Sequence, residues 1–313
     1  MDTEKKDDYE KSAEEFVRST EVEESQDSNQ PNSLGKAETF NRKEDKPETE
    51  SMGYVRVPME SLPSRGLFYP DGTTIAIRAA SVQEIRHWST IDENDYSGID
   101  DVLNFVMERC TQTKMPGSVS SWKDIKEIDR FYLIFAIREF TFKNGENKLY
   151  VPTDDGDKVE VRKEMIKYFD MDEKLERFYD PVEKCIKLET KSGEVVKCYL
   201  PSIGITQFIK RYVQNKQQSQ QPFDKAFLKF APFLFNEWRA LNQTTYEKEV
   251  QESSFWSINK ISAVSKVADL LAGGVDPKLK YTTPGGAELE TPLNFQGGIK
   301  SIFLISDIFD ELV

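Results

Sequence analysis

The sequence contains a single histidine, His87, in 313 residues. One imidazole cannot supply a proton relay or a metal site with several histidines, and it leaves His87 as the sole candidate base for a Ser-His-Asp triad. Phosphate-binding loops are missing too, because the Gly-Gly pairs at 273–274 and 297–298 are not followed by Gly-Lys-Ser/Thr or Gly-x-x-Gly. Carboxylate catalysis remains, but 55 acidic residues do not single out a pair. We predict a protein that is not an enzyme, with no cofactor and no small-molecule substrate.

Cysteine is scarce as well. Cys110, Cys185 and Cys198 are the three cysteines, and none lies in a Cys-x-x-Cys pair. Cys110 falls on an apolar helical stripe, where a buried reduced thiol is expected. Cys185 and Cys198 flank a predicted hairpin and could lie near one another diagonally, but we expect both to be free thiols.

Long apolar runs are also absent. The longest strongly apolar run, residues 131–137, is far shorter than the roughly 20 residues that span a bilayer. The first ten residues, MDTEKKDDYE, lack the apolar region of a signal peptide. We expect an intracellular soluble protein, or one delivered by lysis, that does not contact a membrane.

Charge is concentrated at one end of the chain. The formal net charge is −13, and residues 1–52 hold 16 acidic and 8 basic residues. That segment has too few apolar residues to offset the entropy cost of ordering, so we predict a disordered acidic tail over 1–52. The rest is only mildly acidic and lacks the positive field that nucleic-acid binding requires.

Two alternating segments, YVRVPM and TTIAIRA, predict two short N-terminal strands. The loop between them, SLPSRGLFYPDGT, carries Leu67, Phe68 and Tyr69. Large apolar side chains in a loop either fold back as a satellite core or face a partner, and the sequence leaves both alternatives open.

Helical patterns dominate the remainder. Ser81 and Glu84 have capping-box spacing, and 131–137 is apolar nearly all round, as in a helix packed on several sides. Residues 147–200 are β-rich. We predict an α+β fold with a mainly helical body, a small β insert and a C-terminal hairpin, divided into 1–52, 53–146, 147–200 and 201–313.

The hairpin segment, KYTTPGGAELETPLNF (280–295), resembles half of a zinc ribbon without its cysteines. The positions of the knuckle thiolates fall on Thr282 and Gly285, and zinc needs four donors to close its site. We predict a metal-free, ribbon-like hairpin. A plain Pro-Gly-Gly hairpin accounts for the pattern equally well.

Five separated blocks resemble the baseplate hub assembly proteins of T-even-type tailed bacteriophages. They are LPSRGLFYPDGT (62–73), EIRHWSTIDEND (84–95), WRALN (238–242), WSINKIS (256–262) and TPLNFQGGIKSIFLISDIFDEL (291–312). The resemblance covers the chain from about Tyr54 onward. It implies a late, non-enzymatic tail protein that contacts other baseplate hub proteins as a virion component or an assembly chaperone. The expected location is the host cytoplasm during assembly, or the virion tail baseplate.

Aromatic and aliphatic residues are the candidate partner contacts. They are Leu67, Phe68 and Tyr69 in the loop, and Phe303 and Phe309 in the segment near the C-terminus. An alternative function is a regulatory or nucleic-acid-associated adaptor with a degenerate zinc ribbon. A salt-dependent mobility shift with DNA would favour that adaptor.

Overall fold

The computed structural model describes residues 53–90, 96–117, 119–142, 149–152, 158–166, 173–189, 193–272, 278–283, 286–292 and 302–303. The predicted acidic tail, 1–52, lies outside the described residues. Every described residue belongs to one contact unit, Glu48–Val313. Helices and small antiparallel sheets alternate along it, which confirms the predicted α+β class.

The α-helices of the described residues are α1 (Val82–Ser89), α2 (Tyr96–Cys110), α3 (Arg130–Thr141), α4 (Glu173–Glu176), α5 (Ile203–Gln218), α6 (Lys225–Leu228), α7 (Gln243–Ser253) and α8 (Ile258–Ala272). The strands are β1 (Val55–Val57), β2 (Thr74–Ile77), β3 (Thr111–Lys114), β4 (Tyr150–Pro152), β5 (Lys158–Glu160), β6 (Tyr179–Asp180), β7 (Cys185–Glu189), β8 (Val195–Cys198), β9 (Lys278–Thr282) and β10 (Glu288–Pro292).

Local sequence signals explain several of these elements. The capping box at the start of α1 is confirmed: Glu84 N donates to Ser81 Oγ at 3.3 Å, and Ser81 N donates to Glu84 Oε2 at 2.8 Å. In α3 every residue from Tyr132 to Arg138 is buried, as the all-round apolar pattern predicts. α6 ends at Leu228, and Pro232 lies within the 3₁₀ turn that follows, Ala231–Phe233, where its fixed φ and missing N–H prevent a continuous helix.

The N-terminal sheet has the order β1-β2-β3, with antiparallel pairing throughout. The prediction of two strands was therefore incomplete. The third strand reads Thr-Gln-Thr-Lys and has no large apolar side chain to mark it. Its buried positions are Thr111 and Thr113, so the alternation is between buried and exposed polar residues.

The sheet β6-β7-β8 places Cys185 and Cys198 on opposite faces. Ile186 pairs with Cys198, so their side chains share a face, and Cys185 points to the opposite face. All three cysteines are buried free thiols, as predicted. The C-terminal hairpin pairs β9 with β10 in antiparallel register, and Gly286 has a φ of +82° in its turn.

Two hydrophobic clusters form the core. The first surrounds α3 and includes the N-terminal sheet, α1, α2 and residues near β4 and β5. The second joins β7 and β8 to α5, α6, α7 and α8. The predicted segment 147–200 therefore contributes to both clusters, because Leu149 and Val161 pack in the first, and Ile186 and Val196 in the second.

A close contact joins α5 to the turn Trp238–Ala240. A Cβ atom on Gly204 would lie 2.4 Å from Trp238 Cγ, closer than any van der Waals contact allows. The indole can lie against the helix only because position 204 has no side chain. This contact fixes the position of the Trp238 indole.

Substituting Gly204→Ala tests this contact. In an unconstrained helix the change stabilises by about 0.5–1 kcal/mol, whereas here the steric clash should lower the free energy of unfolding by about 1–3 kcal/mol. Urea unfolding measures the difference. The control is Gln214→Ala, at an exposed position of the same helix, where a change within about 0.5 kcal/mol is expected. A Gly204→Ala protein at least as stable as the wild type would contradict the packing.

Candidate functional site

The loop that carries Leu67–Tyr69 is anchored by a buried carboxylate. Asp129, fully buried at the start of α3, accepts hydrogen bonds from Ser64 N at 2.8 Å, Ser64 Oγ at 2.7 Å and Tyr69 OH at 2.7 Å. The Tyr69 hydroxyl in turn accepts from Lys126 N at 2.8 Å. The carboxylate therefore connects two segments that lie about sixty residues apart in sequence.

Burial sets the electrostatics of this network. Desolvation raises the pKa of Asp129 to about 6, against the opposing effect of its three hydrogen bonds and of Lys126. Desolvation also lowers the pKa of Lys126 to about 8 and raises that of Tyr69. The Lys126 Nζ donates to the Leu200 carbonyl at 3.1 Å. The pKa values of the buried Asp129 and Lys126 therefore lie on either side of neutral pH.

A second carboxylate organises the neighbouring turn. Asp124 Oδ1 and Oδ2 accept a two-pronged contact from Arg239 at 2.7 and 2.8 Å, and Oδ1 also accepts from Trp238 Nε1 at 2.8 Å. Bidentate guanidinium–carboxylate pairs are directional and hold both partners in one orientation. Asp124 is 7% exposed, whereas Arg239 is exposed, so only the carboxylate side of the pair is shielded from water.

The structure describes four of the five predicted partner contacts, and three of them are buried. Phe68 and Tyr69 are each 2% exposed, and Leu67 is half-buried against the second cluster. Phe68 packs in the second cluster and Tyr69 in the first, so the loop contacts both clusters. Phe303 is 2% exposed and its ring lies 4.5 Å from that of Trp88. Side chains this deeply buried are core residues and are not available to a partner, and Phe309 lies outside the described residues.

His87 lies on α1 and packs its ring 4.6 Å from that of Phe105. Among the described residues, no group of three or more His, Cys, Asp or Glu side chains is arranged to hold a metal ion. Within the same part of the chain, no helix has both the length and the apolar character needed to cross a bilayer.

An exposed apolar surface lies where α7 meets α8, and the sequence analysis did not predict it. Phe255 is 83% exposed and Ile258 is 85% exposed. Phe255 lines a groove of about 770 Å³ together with Val195 and Trp256. We call Val195, Phe255, Trp256 and Ile258 the α7–α8 surface.

Acidic side chains flank this surface. Glu194, Glu249 and Glu252 line the same groove, and Lys260, also in its wall, is ion-paired with Glu194 and packs over Trp256. Burial and the neighbouring Glu252 raise the pKa of Glu249. The signal that could have found the surface is the position of Phe255 and Ile258 beside a helix start, outside the apolar stripe of α8.

Substituting Asp129→Asn tests the loop anchor. The Asn NH₂ group cannot accept a hydrogen bond, so one donor of Ser64 or Tyr69 loses its acceptor, at a cost of about 2–4 kcal/mol in the free energy of unfolding at pH 5. The control is Asp269→Asn, whose carboxylate is 55% exposed, where a change within about 0.5 kcal/mol is expected. Chemical denaturation measures both.

The pH dependence gives a second test of the same substitution. Because the folded pKa of Asp129, about 6, lies above its ordinary value, its contribution to stability is present below pH about 4 and is lost as pH rises through about 6. The stability gap between wild type and Asp129→Asn should therefore narrow between pH 4 and pH 7. A gap that widens over this range would contradict the raised pKa.

No protein-family model, no curated protein and no solved structure matches this chain. The residues of this chain and their geometry therefore carry the evidence for its function. Two features stand out: a loop held inside by Asp129, and the α7–α8 surface left exposed.

Proposed function

We propose that this protein acts without catalysis, by protein–protein contacts, in the assembly of a bacteriophage baseplate hub. The sequence blocks that resemble T-even-type hub assembly proteins support this proposal. The observation that carries it is the α7–α8 surface, because large apolar side chains exposed together are typical of protein-binding sites.

The surface has the composition expected of an interface centre. Phe255 and Ile258 are more than four-fifths exposed and lie three residues apart in sequence, and Phe255 lines a groove together with Trp256. Buried aromatic anchors supply most of the binding energy in many interfaces. The block WSINKIS, one of those that carry the resemblance, begins inside this surface at Trp256.

The charges around the groove define the partner. Glu249 and Glu252 would meet a partner segment that presents apolar side chains flanked by lysine or arginine, while Glu194 is already ion-paired with Lys260. We propose that this segment belongs to another baseplate hub protein. The finer fold, a helical body with a β insert and a metal-free ribbon-like hairpin, serves as the scaffold that presents the surface.

The proposed location follows from this function. The protein would act in the host cytoplasm during assembly, and either stay in the virion tail baseplate or leave as a chaperone. Counting its copies by mass spectrometry in purified virions and in infected-cell lysate separates the two. A fixed small copy number per particle indicates a hub component, and abundance in lysate alone indicates a chaperone.

The double substitution Phe255→Ser, Ile258→Ser tests the interface. Losing two anchors should weaken partner binding at least about 30-fold, since truncating one hot-spot side chain costs about 2 kcal/mol or more. Phage carrying the double variant should assemble few complete baseplates, counted by electron microscopy. The melting temperature of the purified variant should not fall, because both side chains are exposed.

The matched control is Val119→Ser, an isolated apolar side chain that is 83% exposed. It should leave assembly unchanged. Normal baseplate assembly by a folded double variant would contradict the proposed role of the α7–α8 surface.

A further inference from the structure

A second cavity, of about 500 Å³, lies between the loop residues Phe68 and Pro70 and the turn at Trp238–Ala240. Its wall includes Lys126 and Ser202, and we call it the Lys126 cavity. Its volume lies within the range of small-molecule sites. It does not include any residue of the α7–α8 surface.

Backbone pairing brings Lys126 and Ser202 together. The two residues form an antiparallel bridge, flanked by hydrogen bonds from Glu127 N to Pro201 O at 2.9 Å and from Ile203 N to Ile125 O at 2.8 Å. This is the non-hydrogen-bonded type of pair, in which the Cα atoms approach to about 4.5 Å. Directly opposed side chains share one face, so the lysine and the serine side chains lie next to each other.

Both side chains have hydrogen-bonding capacity to spare. Lys126 is 5% exposed, and its ammonium group, which carries three donors, makes one hydrogen bond, to the Leu200 carbonyl at 3.1 Å. Ser202 is 3% exposed, and its Oγ has no partner among the described residues. Ser202 directly precedes α5, but its hydroxyl does not cap the helix. A buried hydroxyl without a partner is costly, so this wall is suited to an oxygen-bearing ligand.

The charges around the cavity limit the ligand to one negative charge. Arg239 is paired with Asp124 at 2.7 Å, Lys197 with Glu183 at 2.5 Å and Lys184 with Asp71 at 2.8 Å. Among the described residues of the wall, Lys126 is the cation that lacks an ion pair. The nearby Asp129 carboxylate is already engaged by Ser64 and Tyr69.

Apolar groups form part of the wall, beside charged residues that include Glu183, Glu237 and Arg239. Phe68, Pro70, Met115 and Pro116 line the cavity, and the Trp238 indole joins them. A ligand with one oxyanion and a hydrocarbon body would use both the Lys126 and Ser202 side of the cavity and this apolar part of its wall.

We propose that the Lys126 cavity binds a small monocarboxylate with an apolar body, its carboxylate held by Lys126 Nζ and Ser202 Oγ. This site is separate from the proposed assembly function and would stand if that function were wrong. The lowered pKa of Lys126 agrees with a buried ammonium that gains from an anionic partner.

Titration of the full chain with sodium hexanoate, followed by calorimetry or NMR, tests the site. A ligand of this size should bind with a Kd on the order of 1 mM. The variant Ser202→Ala should weaken binding about tenfold without lowering the melting temperature, because the hydroxyl it removes has no partner. The variant Lys126→Met should weaken it at least about 30-fold.

The matched control is Lys197→Met, which removes an ion-paired lysine from the same cavity wall and should change the Kd less than about twofold. Hexanamide, the neutral analogue, should bind much more weakly than hexanoate. Absence of saturable hexanoate binding would overturn the proposal. So would binding that Ser202→Ala and Lys126→Met leave unchanged, or equally tight binding of inorganic phosphate at the same residues.

Discussion

The buried Asp129 carboxylate is the constraint on which the rest of this structure depends. It draws Ser64 and Tyr69 toward the start of α3, and so turns an aromatic loop inward. Because Phe68 then enters one hydrophobic cluster and Tyr69 the other, the loop unites the two clusters. Removing a charge from water costs free energy, and here three hydrogen bonds to the carboxylate offset part of that cost. The loop is consequently a structural element of the core.

Because this loop is buried, a surface that binds a partner has to lie elsewhere on the protein. With Phe68, Tyr69 and Phe303 buried, the large aromatic side chain most open to a partner among the described residues is Phe255. The same turn shapes the Lys126 cavity, since Phe68 and Pro70 form part of its wall. The proposed interface and the proposed ligand site lie next to each other on one scaffold, since Lys197 and Tyr199 line both the groove beside Phe255 and the Lys126 cavity.

Local features were predictable from the sequence because they depend on near neighbours. The capping box of Ser81 and Glu84, the all-round burial of α3 and the break at Pro232 all follow from spacing and composition. Strand β3 was missed because its buried positions are threonines. The Asp129 network was missed because its partners lie about sixty residues away, although an aspartate directly before an apolar helix was a usable signal. The exposure of Phe255 depends on how α7 and α8 meet, which periodicity does not encode.

Hydrogen–deuterium exchange of the full chain, alone and with the proposed baseplate hub partner, tests the central claim most directly. The account predicts slow exchange at the amides of Ser64, Tyr69 and Lys126 in the free protein, since these amides hydrogen-bond to Asp129 Oδ1, Gly66 O and Tyr69 OH, respectively. Adding the partner should then slow exchange around residues 252–258 and leave the loop unchanged. Rapid exchange at Ser64 and Tyr69 in the free protein, with protection gained there on binding, would show instead that the loop is the interface.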